Sequence, residues 1–167
     1  MVEPILNPVR VYIGIGSNLD TPLQHVQNAI KELTHLALDN NLQASSIYQS
    51  KPLAGMKQPD YFNAVATFRT NLQAHDLLDK LQAIEQQHGR IRTGEHWGPR
   101  TLDLDLILFG NEQINDDRLT VPHAGMLERN FVLIPLSELD PELRLPDNSA
   151  LKYWLEQSSS EGIIKIE

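Results

Sequence analysis

Hydrophobic and polar positions follow two different periods along the first two-thirds of the chain. Alternating or β-branched segments predict strands, and apolar residues that recur every three to four positions predict helices. In chain order, the pattern predicts a strand at 9–15, a helix at about 21–33, strands at 43–49 and 61–70, a helix at 74–88 and a strand at 101–109. This order is typical of an α+β fold with a ferredoxin-like β-α-β-β-α-β sheet and helices packed on it.

The last third of the chain predicts extra C-terminal elements, namely a turn-rich stretch and a helix near 150–157. With 167 residues, the chain is expected to form a single domain, 1–167.

The strand at 101–109 has two acidic positions. Residues 102–108 read Leu-Asp-Leu-Asp-Leu-Ile-Leu, so a strand places the leucines at 102, 104, 106 and 108 on one face and Asp103 and Asp105 on the other. Paired carboxylates suit Mg²⁺, particularly when substrate phosphates complete its coordination shell. A solvated acidic face of an amphipathic strand explains the same spacing.

Charge and cysteine content restrict the possible functions. The net charge is −8, which argues against a broad nucleic-acid or membrane surface, and the absence of cysteine excludes disulfides and thiolate chemistry. Residues 1–100 carry nine acidic and nine basic side chains, so the excess acid lies after them. No signal-like start or long apolar run is found, which predicts a cytoplasmic protein without membrane contact.

A cationic segment precedes the acidic strand. Residues 88–100 read HGRIRTGEHWGPR, with three arginines and two histidines against one glutamate. Arginine forks match phosphate oxygens, although a solvated surface loop has the same composition. Gly14 and Gly16 weakly resemble part of a phosphate-binding turn, or they allow a close backbone approach.

These segments together resemble the 6-hydroxymethyl-7,8-dihydropterin pyrophosphokinase family. The resemblance runs from about 12 to 143 and includes YIGIGSNL, QPDYFNAV, WGPRTLDLDLILFG and LTVPH followed by ERNFVLIPL. It implies the ferredoxin-like fold and transfer of the terminal diphosphate of ATP to the pterin hydroxymethyl group, with release of AMP, in folate biosynthesis. ATP and the pterin are therefore the expected small-molecule partners of a monomeric enzyme.

The resemblance also assigns site residues. Asp103 and Asp105 would bind a pair of Mg²⁺ ions, and Arg90 and Arg100 would stabilise the transferring group. The implied ATP contacts are Gln82, Glu85, Arg92, Trp97, Leu106, Arg118, Thr120, His123 and Arg129. The implied pterin contacts are Ser50, Leu53, Tyr61, Asn63, Trp97 and Phe131. Ala124 departs from the larger residue expected after His123, which predicts a more open nucleotide pocket.

Two other functions are compatible with the same residues. The carboxylates could serve a metal-dependent phosphohydrolase, or the chain could bind a nucleotide without catalysis. Release of AMP from ATP only in the presence of the pterin would distinguish the transferase from both.

Overall fold

A six-stranded antiparallel sheet is the centre of the fold in the computed structural model, which describes residues 7–19, 21–51, 59–89, 101–160 and 162–166. Its strands are β1 (Val9–Ser17), β2 (Leu42–Ala44), β3 (Tyr48–Ser50), β4 (Tyr61–Thr70), β5 (Asp103–Phe109) and β8 (Ile163–Lys165), and β6 (Ile114–Asn115) and β7 (Thr120–Val121) form a separate hairpin. The strand order in the sheet is β5-β1-β4-β3-β8, and β2 also pairs with β4. The predicted ferredoxin-like order is thereby present.

The helices cover both faces of this sheet. They are α1 (Pro22–Thr34), α2 (Ala74–Gln87), α3 (Asn130–Leu139) and α4 (Leu151–Gln157). Helices α1 and α2 bury Val26, Leu33, Leu77 and Leu81 against one face. Helices α3 and α4 bury a second apolar cluster against the other.

The predicted strand at 43–49 is two strands separated by a bulge. Ala44 pairs with Ala66 and Tyr48 pairs with Asn63. The segment from 44 to 48 therefore covers four residue steps where β4 covers three, so it contains one extra residue. At the bulge, Ser45 donates its backbone N–H to the carbonyl of Val65 and accepts the Val65 N–H on its hydroxyl. The side chain thus replaces a lost ladder partner.

A second bulge corrects the prediction that four leucines share one face of β5. Ile13 pairs with Leu106 but Tyr12 pairs with Leu108, so Ile107 is an extra residue. Leu108 therefore packs with Tyr12 on the α3 side, while Leu104 and Leu106 stay on the α1 and α2 side. An added residue in one strand moves every later side chain of that strand to the other face of the sheet.

Helix α3 was not predicted from the sequence. Its residues NFVLIPLSEL are almost continuously apolar, so they lack a helical period, and Pro135 lies inside the helix. Packing of α3 over β4 overrides this weak local pattern. No helix in the described part of the chain combines the length and apolarity that a membrane crossing requires.

Candidate active site

Asp103 and Asp105 on β5 are paired with glycines on the neighbouring strand β1. Asp103 pairs with Gly16 and Asp105 pairs with Gly14, both inside β1. Directly paired residues share a face of the sheet, so no side chain from β1 stands beside either carboxylate. The two glycines belong to a strand and not to a phosphate-binding turn, and their missing side chains leave space that Ile107 takes at Gly14 and Asn63 takes at Gly16.

Asn63 lies in line with Gly16 and Asp103 across three neighbouring strands. Gly16 pairs with Asn63 on β4 as well as with Asp103 on β5. A Cβ at Gly16 would lie 2.8 Å from the Asn63 Oδ1 atom, so the amide occupies the space that a side chain would fill. Asn63 and Asp103 are two strands apart, a separation of about 10 Å. Both are thus on one sheet face, within reach of a small ligand.

Ser50 and Tyr61 lie at the same end of this face. They pair with each other across β3 and β4, and Asn63 donates from Nδ2 to the Ser50 Oγ at 3.3 Å. Asn63 and Ser50 are buried, whereas Tyr61 is half-buried. The structure therefore groups three predicted pterin residues.

His123 approaches the acidic pair from the segment after β7. Its Nε2 lies 3.7 Å from the Asp105 Oδ1, and its Nδ1 accepts the backbone N–H of Gly125 at 3.2 Å. This hydrogen bond assigns the ring proton to Nε2, on the side of Asp105. Burial lowers the pKa of His123, and the charge of Arg129 lowers it further against the opposing charge of Asp103. The ring is therefore neutral near pH 7.

A cavity of about 240 Å³ collects several predicted residues. Its lining includes Asp105, Leu106, Arg118, Thr120 and His123. Ala124 is exposed at the same cavity, which is consistent with the expected open side. A larger cavity of about 460 Å³ lies between the start of α3 and α4 and is lined by none of the predicted residues.

Arg118 is held at the cavity by the β6–β7 hairpin. Asp116 Oδ1 accepts the backbone N–H groups of Arg118 and Leu119, each at 2.9 Å. The Arg118 guanidinium is 2.6 Å from Asp79 on α2. Both members of this ion pair are about half exposed, so the pair orients the guanidinium more than it stabilises the fold.

Gln82 and Glu85 are one turn apart on α2. Glu85 is 2% exposed, and its Oε2 accepts the backbone N–H of Leu104 at 2.8 Å. This bond ties α2 to the outer edge of β5. Contact of either side chain with a nucleotide stays a prediction.

Arg129 and Phe131 mark the start of α3. The Arg129 Cζ lies 5.8 Å from the centre of the Phe131 ring, within the range of a cation–π interaction. Helix α3 packs against β4, the strand that carries Tyr61. Stacking of a pterin between the two aromatic rings stays a prediction.

Comparison with known proteins identifies the family. The sequence model of 7,8-dihydro-6-hydroxymethylpterin-pyrophosphokinase matches residues 12–141. The chain belongs to this pyrophosphokinase family. It is 44% identical over 158 residues to 2-amino-4-hydroxy-6-hydroxymethyldihydropteridine pyrophosphokinase of Haemophilus influenzae, which covers 95% of this chain and 98% of the relative. The protein of the same name from Pseudomonas aeruginosa is 46% identical over 157 residues, covering 94% and 96%.

Solved structures agree on the fold of this pyrophosphokinase. The chain superimposes on an HPPK-DHPS crystal structure in complex with substrates with a TM-score of 0.65 at 14% identity, covering 90% of this chain and 43% of that one. For Plasmodium falciparum HPPK-DHPS with pterin and p-hydroxybenzoate, the TM-score is 0.67 at 12% identity, covering 98% and 46%. This chain thus spans less than half of those longer chains. The predicted family, fold and pyrophosphokinase function in folate biosynthesis are confirmed.

The remaining predicted residues of this pyrophosphokinase lie outside the described residues. They are Leu53, Arg90, Arg92, Trp97 and Arg100.

The acidic pair fits magnesium by the chemistry of its donors. Carboxylate oxygens are hard ligands, and Asp105 keeps 36% of its side chain exposed. Among the described residues, no group of three or more metal-ligating side chains is present. Two carboxylates with other positions left to phosphate and water are the usual protein contribution for Mg²⁺.

Sequence reasoning left the purpose of Gly14 and Gly16 open and missed Gly125, and all three shape the site. Gly14 and Gly16 recur at period two, as do Asp103 and Asp105, and this shared period was the available signal. Gly125 has no such signal, because its contacts with His123 and Arg129 depend on the turn after β7.

Proposed function

We propose that this face of the sheet transfers diphosphate from ATP to 6-hydroxymethyl-7,8-dihydropterin with the help of Mg²⁺ held by Asp103 and Asp105. The supporting observation is the cavity that joins Asp105 to His123, Arg118 and Thr120, with Asn63 on the same sheet face. Cationic and hydrogen-bonding groups are on the nucleotide side. The Asn63 amide is on the other side, where it would orient the pterin that carries the accepting hydroxyl group.

The role proposed for Asp103 and Asp105 is to bind Mg²⁺ beside the phosphates of ATP. When bound, Mg²⁺ would neutralise charge on the phosphate oxygens and increase the acidity of the attacking hydroxyl. Asp103 and Asp105, on the edge strand β5, would hold the ions. Because diphosphate transfer depends mainly on position and charge, a strong protein base is not required.

The nucleotide is bound by side chains from several elements. Arg118 lines the cavity and is paired with Asp79, and His123 presents its Nε2–H there. Arg129 adds a cation at the start of α3. Gln82, Glu85, Leu106 and Thr120 complete this proposed set, together with Arg92 and Trp97. Arg90 and Arg100 are proposed to stabilise the transferring group.

The pterin is bound by an amide and two aromatic faces. Asn63 is fixed by Ser50, so its amide is oriented before a ligand arrives. A flat heterocycle would use this amide for its polar edge and Tyr61 and Phe131 for its faces. Leu53 and Trp97 belong to the same proposed set.

The decisive measurement follows the nucleotide product. Protein, ATP, Mg²⁺ and the hydroxymethyl pterin are expected to give AMP, whereas ADP would contradict diphosphate transfer. Asp103→Asn and Asp105→Asn are each expected to lower kcat by at least about 100-fold. Glu112→Gln removes an exposed carboxylate just after β5 and serves as the matched control.

Two outcomes would favour another function. Phosphate release from ATP at the same rate without pterin would indicate a phosphohydrolase. ATP binding by calorimetry with no AMP under any pterin condition would indicate a binding module.

We also infer a monomer in the cytoplasm. Among the described residues, Tyr153 and Ile164 are the exposed large hydrophobic side chains, and they lie on different elements. Sedimentation at micromolar concentration tests the monomer, and cell fractionation tests the location.

A further inference from the structure

Gly125 lies between two of the proposed nucleotide-binding side chains. It precedes the 3-10 turn Met126–Glu128, and its backbone angles are φ −100° and ψ 2°. These angles are open to any residue, so the backbone does not require glycine here. A reason for glycine must be sought in its surroundings.

The guanidinium of Arg129 occupies the space where a side chain at 125 would begin. A Cβ at Gly125 would lie 2.8 Å from Arg129 Nε, 2.9 Å from Cζ and 3.1 Å from Nη2. The first two distances are too short for a carbon contact and the third is tight, and all three atoms belong to one charged group. The guanidinium is therefore packed directly on the bare peptide backbone.

Gly125 also sets the orientation of His123. Its backbone N–H donates to His123 Nδ1 at 3.2 Å, which leaves the other ring nitrogen on the side of Asp105. This contact depends on the peptide group and not on the missing side chain. Any residue except proline retains it.

We propose that Gly125 is a positioning residue for ATP binding, because its missing side chain allows the Arg129 guanidinium to pack on the residue whose N–H holds the His123 ring. This inference rests on the proposed role of Arg129 in binding the nucleotide. Among the described residues of the proposed site, Arg118 and Arg129 then approach from different elements: Arg118 is oriented by Asp79, and Arg129 by the space at Gly125.

Adding a methyl group at 125 displaces Arg129 without unfolding the turn. The clashing atoms are the tip of a flexible side chain, which moves by rotation about its own bonds. A displaced guanidinium loses its hydrogen-bond geometry toward phosphate. Binding is therefore affected more than stability.

The test is a double-mutant cycle of Gly125→Ala and Arg129→Ala, with KM for ATP, kcat and the urea midpoint measured for each variant. Gly125→Ala is expected to raise KM for ATP about tenfold, the loss of roughly one charge-assisted hydrogen bond. Its kcat and urea midpoint stay near those of the parent. The double variant is expected to equal Arg129→Ala alone, because the methyl group then has nothing to displace. Glu128→Ala, an exposed change in the same turn, controls for general disturbance.

Each other outcome overturns a defined part of the proposal. Unchanged KM in Gly125→Ala with raised KM in Arg129→Ala overturns the role of Gly125 alone. Unchanged KM in Arg129→Ala overturns the nucleotide role of Arg129 and this inference with it. Additive effects in the double variant, or a lowered urea midpoint that accounts for the loss, show that Gly125 acts through folding and not through Arg129.

Discussion

At the scale of single residues, the site depends on glycines, which have no side chain, as much as on the residues that carry its chemistry. Gly14 and Gly16 leave space beside the two aspartates, which Ile107 uses at Gly14 and Asn63 uses at Gly16. The acidic pair was identifiable from its own period, and Gly14 and Gly16 share that period, but the sequence does not show that they lie opposite the aspartates. Their role depends on which strands pair and in which register, and this is set by tertiary structure.

The Gly16→Ala variant tests the role of this space. Its Cβ would stand 2.8 Å from Asn63 Oδ1, so the amide must move. We expect KM for the pterin to rise about tenfold, the effect of one misplaced hydrogen-bonding group, with little change in KM for ATP. Steady-state kinetics with each substrate varied in turn measures both.

Gly14→Ala is the matched control on the same strand and face. Its Cβ would meet Ile107 Cδ1 at 3.1 Å instead of Asn63. It is expected to lower stability slightly and to leave KM for the pterin unchanged. Equal effects of the two variants on that KM would contradict the proposed placement of the amide.

At the scale of elements, the sequence pattern predicts most helices and strands but not their irregularities. Strand β4 lies at 61–70 as predicted, and α2 ends one residue before its predicted end. The bulges at Ser45 and Ile107 were missed because an extra residue leaves no mark in the alternation around it. Helix α3 was missed because a continuous apolar run has no period.

Helix α3 is joined to the sheet by tyrosine–carboxylate contacts. The Tyr48 hydroxyl donates to Glu138 at 2.6 Å, and the Tyr12 hydroxyl donates to Asp140 at 3.0 Å. Both acceptors lie at the C-terminal end of α3 or just beyond it. The helix that carries Phe131 at its start is thus anchored from its other end.

Alkaline unfolding is expected to report on the Tyr12 contact. Burial and the hydrogen bond to Asp140 raise the pKa of Tyr12 from the ordinary 10.0 to about 12. The unfolded chain therefore loses this proton first, and the stabilisation present below pH 10 is lost as pH rises toward 12. Urea unfolding between pH 8 and pH 12 should show a shallower loss of stability in Tyr12→Phe than in the parent.

Tyr153→Phe is the control for this measurement. It removes the hydroxyl of a residue that is 56% exposed on α4 and should keep the parent's slope. An identical slope in Tyr12→Phe would contradict the role assigned to the buried hydroxyl.

Helices α1 and α2 are joined by a histidine contact at the end of α2. His88 Nδ1 lies 2.6 Å from His25 Nδ1, and His88 Nε2 lies 3.1 Å from Glu32 Oε1. With 7% of its side chain exposed, His88 makes these contacts largely out of water. We expect His88→Ala to lower the free energy of unfolding by about 1–3 kcal/mol, since it leaves two polar partners with one contact fewer.

Chemical denaturation at pH 7 measures this effect against His35→Ala. His35 is exposed just after α1, so its removal is expected to change stability by less than about 0.5 kcal/mol. Equal effects of the two variants would mean that the His25–His88 contact does not stabilise the helix pair.

At the scale of the whole molecule, the excess of acidic side chains does not oppose binding of a compact polyanion. The net charge of −8 comes entirely from residues 101–167, but Arg118 from that same part lines the cavity with Asp105, and the charge of Arg129 lowers the pKa of His123. A bound divalent cation would reverse the local sign at Asp103 and Asp105. Affinity for ATP is therefore expected to depend strongly on Mg²⁺, because the arginines alone do not offset the charge of the two aspartates and the phosphates.

Thermal unfolding measures this dependence on the intact protein. Mg²⁺ with ATP at about 100 times its dissociation constant should stabilise the fold by about 2.7 kcal/mol, or roughly 5–10 °C in Tm for a chain of this size. Excess EDTA should remove most of that shift. A variant carrying both Asp103→Asn and Asp105→Asn should bind ATP with no difference between Mg²⁺ and EDTA, whereas Glu112→Gln keeps the difference. A Mg²⁺-dependent shift that survives in the double variant would mean that ATP brings its own metal ion, and that these two aspartates do not hold it.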